Sequence, residues 1–242
     1  MAGHRTTREL TGMAAAFLAE EHPDAIIVKE LTVEYMSGKP GRLDVAAITP
    51  NGIIAVEVKG PNDSPKRLEH QISKYKGVCK EVWLLAAKNI FDKCYEITRF
   101  HWRTLDYKNG SAFKHSNSLE HCKMKNNPWA IADTLLMPEK KKIVEKFGLH
   151  QKLLQEYENA NGNMYWHPHT GTYSKIIAEN IPLCDLRIEF AKHLLARDWK
   201  KRLMLSKSNF ENERLSKLKV RPITVASLED SIHKTATLRE EL

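Results

Sequence analysis

The sequence predicts an α/β protein: a helix, a three-strand meander, a helix and a further strand, followed by an all-helical part. Three observations carry this. Two short aliphatic runs, Leu43–Ile48 and Ile53–Val58, flank the turn residues Thr49-Pro50-Asn51-Gly52. Residues 6–21 and 65–79 place apolar side chains at helical spacing on either side of that meander. From about residue 118 the strand signals stop and helical periodicity takes over. The resulting division is an α/β unit over 1–118, a helical domain over 119–205, and a basic tail or packing arm over 206–242.

The first helix is expected over 6–21, capped by Thr6 or Thr7, with Leu10, Ala14, Phe17 and Leu18 as its apolar stripe and Pro23 past its end. Glu9 suits a helix N-terminus, where an acid offsets the macrodipole. Ile26–Tyr35 reads as the first strand. Strict alternation puts Ile26, Val28 and Glu30 on one face with Thr32 and Glu34. Ser37-Gly38-Lys39-Pro40-Gly41 is a loop, and Lys39 and Arg42 near it either touch a phosphate backbone or are simply solvated.

The length of the next turn decides how Asp44, Glu57 and Lys59 meet, because a one-residue slip exchanges the faces of a strand. A two-residue loop at Asn51-Gly52 pairs Asp44 with Lys59 but seats Pro50, which lacks an N–H, in the closing pair. A four-residue loop, Thr49–Gly52, sets Asp44 opposite Glu57. Either even length leaves the three ionic residues on one face.

Gly60-Pro61-Asn62-Asp63-Ser64-Pro65 breaks the chain, and Ser64 with Pro65 starts a helix. Leu68, Ile72, Tyr75 and Cys79 are expected to face the sheet. Gln71 and Tyr75, four apart, project side by side, and Lys66, Arg67, His70 and Lys74 make the exposed side basic. Glu81–Ala87 reads as a buried strand, and Phe100–Tyr107 with Ser111–His115 as a hairpin across Lys108-Asn109-Gly110. Further helices are expected over Trp129–Phe147, broken near Pro138 and ended by Gly148, and over Leu153–Glu158, Tyr173–Glu179 and Leu183–Leu205. Within the polar segment 159–172, Tyr165-Trp166-His167-Pro168-His169 either stacks on bases or pins a loop to the core; its two histidines have no identifiable partner ligands.

Two carboxylates and a lysine inside apolar strands have two readings. One is a cross-strand salt bridge. The other is a Mg²⁺ site, since Mg²⁺ takes one or two carboxylates and fills its octahedron with water and phosphate. Asp44, followed after a turn by Glu57-Val58-Lys59, resembles the PD-(D/E)XK, or restriction-endonuclease-like, nuclease superfamily. Glu30 on the preceding strand matches a further acidic position of many members. Gln71-Ile72-Ser73-Lys74-Tyr75 matches the Gln-x-x-x-Tyr helix of its exonuclease and RecB-like branch. Leu43 stands where the proline of the superfamily name would be. The resemblance covers roughly residues 1–90, and the helical part is loosely similar to that of small stand-alone, MmcB-like DNA-repair nucleases of bacteria and phages.

The resemblance implies a restriction-endonuclease-like core and Mg²⁺-dependent hydrolysis of DNA phosphodiesters, with Mn²⁺ as a substitute metal. Asp44 and Glu57 would hold the metal, the Val58 carbonyl would add a ligand, and Glu30 would contribute directly or through water. Lys59 would position the attacking water, and Gln71 and Tyr75 would lean the enzyme toward strand ends or single strands. Lys39, Arg42, Lys66, Arg67 and Lys74 are the candidate phosphate contacts. A junction-resolving endonuclease and a non-catalytic nucleic-acid-binding protein on the same scaffold are the alternatives.

Composition agrees with a polyanion partner. The 242 residues carry 38 Lys and Arg against 30 Asp and Glu, a net charge of +8, so phosphate neutralisation with counterion release is available. No apolar run reaches membrane-spanning length. The N-terminus lacks the apolar stretch of a secretory signal. Cys79, Cys94, Cys122 and Cys184 are widely spaced, which suits reduced thiols in a cytoplasm, bacterial or phage-infected. A zinc site drawing on the 11 histidines is the lesser alternative. Self-association is left open.

Overall fold

A computed structural model describes residues 5–33, 41–115, 126–161 and 170–199. Lys39, Glu34, Cys122, the 165–169 aromatic run and the 206–242 tail lie outside the described residues. The chain begins with α1 (Thr7–Glu21), β1 (Ile26–Val33), β2 (Gly41–Thr49), β3 (Gly52–Lys59), a short 3-10 turn (Pro65–Arg67), α2 (Leu68–Val78) and β4 (Cys79–Ala86). It continues with α3 (Phe91–Thr98), β5 (Arg103–Lys108), β6 (Ser111–Lys114) and the helices α4 (Pro128–Thr134), α5 (Met137–Lys146), α6 (His150–Asn161), α7 (Thr170–Asn180) and α8 (Leu183–Leu195). The protein is therefore α/β, with the helix, three-strand, helix, strand order expected of its first part.

The six strands form one mixed sheet in sequence order, β1 to β6. β1, β2 and β3 are antiparallel, β3, β4 and β5 parallel, and β6 closes an antiparallel hairpin with β5. β3 and β4 are buried on both faces, which is why they read as unbroken apolar runs. One face carries Val45, Ala47, Ile54, Val56, Val58, Trp83 and Leu85 against Leu10, Ala14, Phe17 and Leu18 of α1. The other carries Ala46, Ile48, Ile53, Ala55, Val82 and Leu84 against Leu68, Ile72 and Tyr75 of α2. Ile131, Ile143, Leu153, Ile176, Leu186 and Phe190, from α4 to α8, join this second apolar core.

Local chemistry sets the boundaries. Thr6 caps α1 as half of a capping box: its hydroxyl accepts from the Glu9 N–H at 3.3 Å while Glu9 accepts from the Thr6 N–H at 2.8 Å. Glu9 is thus spent on the helix end. Ser64 accepts from the Lys66 N–H at 3.3 Å and opens the 3-10 turn before α2. Asn109 and Gly110 have φ of 52° and 86°, the double left-handed geometry of a tight hairpin turn. The β5 strand starts at Arg103 rather than Phe100, because α3 and the Thr98 turn occupy the residues before it.

Four further expectations change. α3 was not anticipated. The turn between β2 and β3 is two residues, Pro50-Asn51, closed by Thr49 opposite Gly52, so Pro50 needs no N–H partner; the register is the one expected from the four-residue loop. α8 stops at Leu195, short of the end expected for it, and residues 200–205 lie outside the described residues; after its last turn the Trp199 indole N–H donates to the Leu194 carbonyl at 2.8 Å and satisfies an end that water or a further turn would otherwise serve. The 129–147 helix breaks at Leu135-Leu136, with Pro138 in the first turn of α5, where a missing N–H costs nothing.

The alternation assumed for β1 also fails. Val28 lies on the α2 side of the sheet, but so do Leu31 and Val33, while Glu30 is exposed and has a φ of 53°. A left-handed residue rotates the strand, so the inward positions change from even to odd. β2 does the same at the facing level, because Leu43 is on the α2 side and Val45 on the α1 side. Glu30 is therefore not in line with Val28. No described helix is long and apolar enough to cross a membrane.

Candidate functional site

β2 and β3 are paired from Thr49 opposite Gly52 up to Val45 opposite Val56. There the strands part, at the level where β1 and β2 exchange faces. Continuing that register sets Asp44 level with Glu57. The carboxylate of Asp44 reaches across: its Oδ2 accepts the Val58 N–H at 2.8 Å. A side chain thus supplies the acceptor that the diverging strand withdraws, satisfying a backbone donor that would otherwise be costly to bury.

Glu57 points to the α2 side and is 1 % exposed. Its Oε1 accepts from Lys59 Nζ at 2.6 Å and from Gln71 Nε2 at 2.6 Å. Its Oε2 lies 3.1 Å from the Tyr75 hydroxyl. Lys59, 3 % exposed, also donates to Gln71 Oε1 at 3.1 Å. The Gln71 amide therefore clamps both members of the ion pair, giving its N–H to the acid and its oxygen to the ammonium. The Tyr75 hydroxyl donates to the Arg42 carbonyl at 2.6 Å and receives from Gln71 Nε2 at 3.2 Å. The Tyr75 ring stacks on Trp102, with centroids 5.7 Å apart and planes 12° off parallel.

Both acids feel the charge of Lys59, which only Glu57 contacts, and the electrostatics follow. Burial pushes the Glu57 carboxyl up from 4.5 to about 7; the charge of Asp44 adds to this, and Lys59 and Gln71 only partly oppose it. Asp44 is also held above its usual range, chiefly by burial, with the Val58 N–H and Lys59 pulling the other way. Burial and the two acids raise the Tyr75 phenol, which stays a neutral hydrogen-bonding group. Such a crowded pair is the setting in which like charges disfavour each other.

Sequence reasoning named five residues that the fold brings together: Asp44, Glu57, Lys59, Gln71 and Tyr75. Glu30 is elsewhere; its side chain is half exposed and faces Arg42 at 3.7 Å. Lys66 and Arg67 are exposed at the start of α2, and the Arg42 side chain is also exposed. Lys74 departs from expectation, being only 8 % exposed, because it faces β2 instead of solvent. The reading missed Trp102, which braces Tyr75, and Asp63, whose Oδ2 accepts the Gly60 N–H at 2.6 Å and whose charge helps raise Asp44. An acid three residues after a glycine is a local turn signal, but nothing in the spacing ties it to Asp44.

No group of three or more His, Cys, Asp or Glu side chains suited to a metal occurs among the described residues. Mg²⁺ does not need three carboxylates, since water and substrate oxygens complete its shell. Asp44 and Glu57, each raised in part by an acidic neighbour, are the two carboxylates that could serve such an ion, and Glu30 does not add to them here.

A protein-family model described as Bacteriophage P4 protein cII matches residues 16–228, most of the chain and all of this site. No curated protein and no solved structure matches it.

Proposed function

The chain belongs to the bacteriophage P4 protein cII family, and we propose that this member is a Mg²⁺-dependent DNA nuclease with a restriction-endonuclease-like core. The observation that carries the reading is the buried Glu57–Lys59 pair, clamped by Gln71 and Tyr75, beside an Asp44 that sits where β2 leaves β3. An ion pair serving stability alone is a poor use of buried charge, because desolvation offsets the attraction.

Asp44 and the ionised Glu57 would hold the cation, and the Val58 carbonyl, next to Glu57 in sequence, would be a further donor. When bound, Mg²⁺ acidifies water and neutralises charge on a phosphoryl oxygen. Lys59 keeps its ammonium at the Glu57 edge, where it orients a water and offsets the negative charge that grows on the phosphate. Gln71 fixes the Glu57 and Lys59 rotamers, and the Tyr75 hydroxyl is held beside Glu57 by its bond to the Arg42 carbonyl. Exposed Arg42, Lys66 and Arg67 supply phosphate contacts. The Gln71/Tyr75 helix favours action at ends or on single strands.

The test is cleavage of linear single-stranded, linear duplex, circular and branched DNA with Mg²⁺ or Mn²⁺. Asp44→Asn keeps an acceptor for the Val58 N–H, and Lys59→Met keeps the stem but leaves Glu57 without its cation; each is expected to lose metal-dependent cleavage, with folding checked by circular dichroism and urea unfolding. Wild-type rates in both variants overturn the assignment. A preference for the branched substrate would make the enzyme junction-directed. Non-catalytic nucleic-acid binding is the second reading, favoured by a Glu57 whose oxygens already have three protein partners; DNA binding with no cleavage at any divalent metal concentration would establish it.

A further inference from the structure

Lys74 is the one lysine ammonium among the described residues that is buried with no hydrogen-bond partner there. It lies on α2 three residues after Gln71 and next to Tyr75. Its stem crosses Gly41 at the start of β2: a Cβ built on Gly41 would sit 3.3 Å from Lys74 Cδ, 3.3 Å from Tyr75 Cε1 and 3.0 Å from Val33 Cγ2. The glycine therefore makes room for the lysine stem and the tyrosine ring side by side. The hydroxyl of that ring ends 3.1 Å from Glu57 Oε2. A lone ammonium at such a place loses its hydration and gains nothing in return, which is expensive unless it is retained for a ligand.

We propose that Lys74 receives a backbone phosphate of the bound strand beside the scissile one, a role that rests on the nuclease reading above. Lysine is a compact charge on a flexible four-carbon stem, so rotation about the stem carries the ammonium from its packed position to the strand. The anion is a phosphate rather than a protein carboxylate because no described acid pairs with Lys74, and because exposed Lys66 and Arg67 begin the same helical segment. The cost of burial in the free protein is recovered on binding, which ties strand engagement to the helix that clamps Glu57. The contact is blind to base identity, as phosphate contacts are.

The experiment compares wild type with Lys74→Met, which keeps an unbranched stem. It measures anisotropy of a fluorescent oligothymidylate in Ca²⁺ at several NaCl concentrations, urea unfolding without DNA, and cleavage of the same oligonucleotide in Mg²⁺. The variant is expected to unfold at higher urea, to bind about tenfold more weakly, and to have a salt slope smaller by about 0.7, the value for one lost single-strand phosphate contact. Equal affinity and equal slope in the two proteins, with wild type binding and cutting, overturn the role of Lys74 alone. A wild type that neither binds nor cuts overturns the nuclease reading and this inference with it. A variant that is weaker in binding yet less stable than wild type makes Lys74 a packing residue and also overturns the proposal.

Discussion

The burial of Glu57, with Asp44 beside it, has a measurable thermodynamic consequence. The Glu57 carboxyl ionises near 4.5 in the unfolded chain and near 7 in the folded protein. Between those values the folded state holds a proton that the unfolded state has released. Stability from this group is therefore complete below about 4.5 and is lost as pH rises to about 7. At 1.36 kcal/mol per tenfold change, the loss approaches about 3 kcal/mol. Asp44, raised mainly by burial, acts with the same sign at the lower end. His193 acts oppositely: burial lowers its pKa, so it loses stability as pH falls through 6.5. Glu139 is buried too, but the Arg197 hydrogen bonds and the Leu136 N–H outweigh that and lower it below 4.5, outside the window. Comparison with Asp44→Asn cancels both His193 and Glu139. The assay is urea unfolding in EDTA at pH 5, 6, 7 and 8. Wild type is expected to lose markedly more stability across the series than Asp44→Asn, whose Glu57 ionises more easily. Adding Mg²⁺ should stabilise wild type at pH 8, by about 2.7 kcal/mol at a hundred times its dissociation constant, and do nothing at pH 5. Superimposable pH profiles for the two proteins would refute the coupling of the two acids.

Two other perturbations address the frame around the site. At position 30 the left-handed backbone should order stability as Gly above Glu above Ile, with a spread of about 2 kcal/mol, read by thermal or urea unfolding; Ile at or above Glu would mean that the strand does not turn there. Arg197 makes two bonds of 2.6 Å to the Glu139 carboxylate and one of 3.1 Å to the Thr134 carbonyl. Arg197→Ala should cost about 3 kcal/mol by leaving Glu139 buried without its cation; a change under about 0.5 kcal/mol in urea unfolding would show that the contact between α5 and the segment after α8 carries no weight.

Much of the site was legible because it depends on local periodicity. Glu57 and Lys59 share a face by strand alternation, and Gln71 and Tyr75 share one by helical spacing. The β2–β3 register followed from where a proline can sit, and the later hairpin from Asn109-Gly110. What escaped depends on contacts distant in sequence. The sheet changes faces at Glu30 and Asp44, yet no residue type there demands it: glutamate is not a left-handed residue by preference. Lys74 has the helix position of an exposed basic residue, and only the glycine across from it, 33 residues earlier, leaves space to bury it. Phe91–Thr98 is eight residues long, too short for periodicity to separate a helix from other structure.

The change of faces in β1 and β2 keeps the Arg42 guanidinium out of the space beside Tyr75 and Glu57. Under unbroken alternation, Ala46 and Ile48 on the α2 side would be followed upstream by Asp44 and Arg42. A guanidinium would then enter the core beneath Tyr75, and Leu43 would face α1. In the observed strand, Leu43 is 1 % exposed and packs with Leu31 on the α2 side, while the Arg42 side chain turns out to solvent. The Arg42 carbonyl is left to accept from Tyr75 at 2.6 Å, which fixes the hydroxyl beside Glu57. At the switch itself Asp44 reaches the Val58 N–H across the gap. A left-handed glutamate stores about 1–2 kcal/mol of strain, and it persists because the paired strand needs the same rotation. The strain at Glu30 and the placement of Asp44 are thus one structural event. An Ile at position 30 should therefore disturb Asp44 as well as destabilise the sheet.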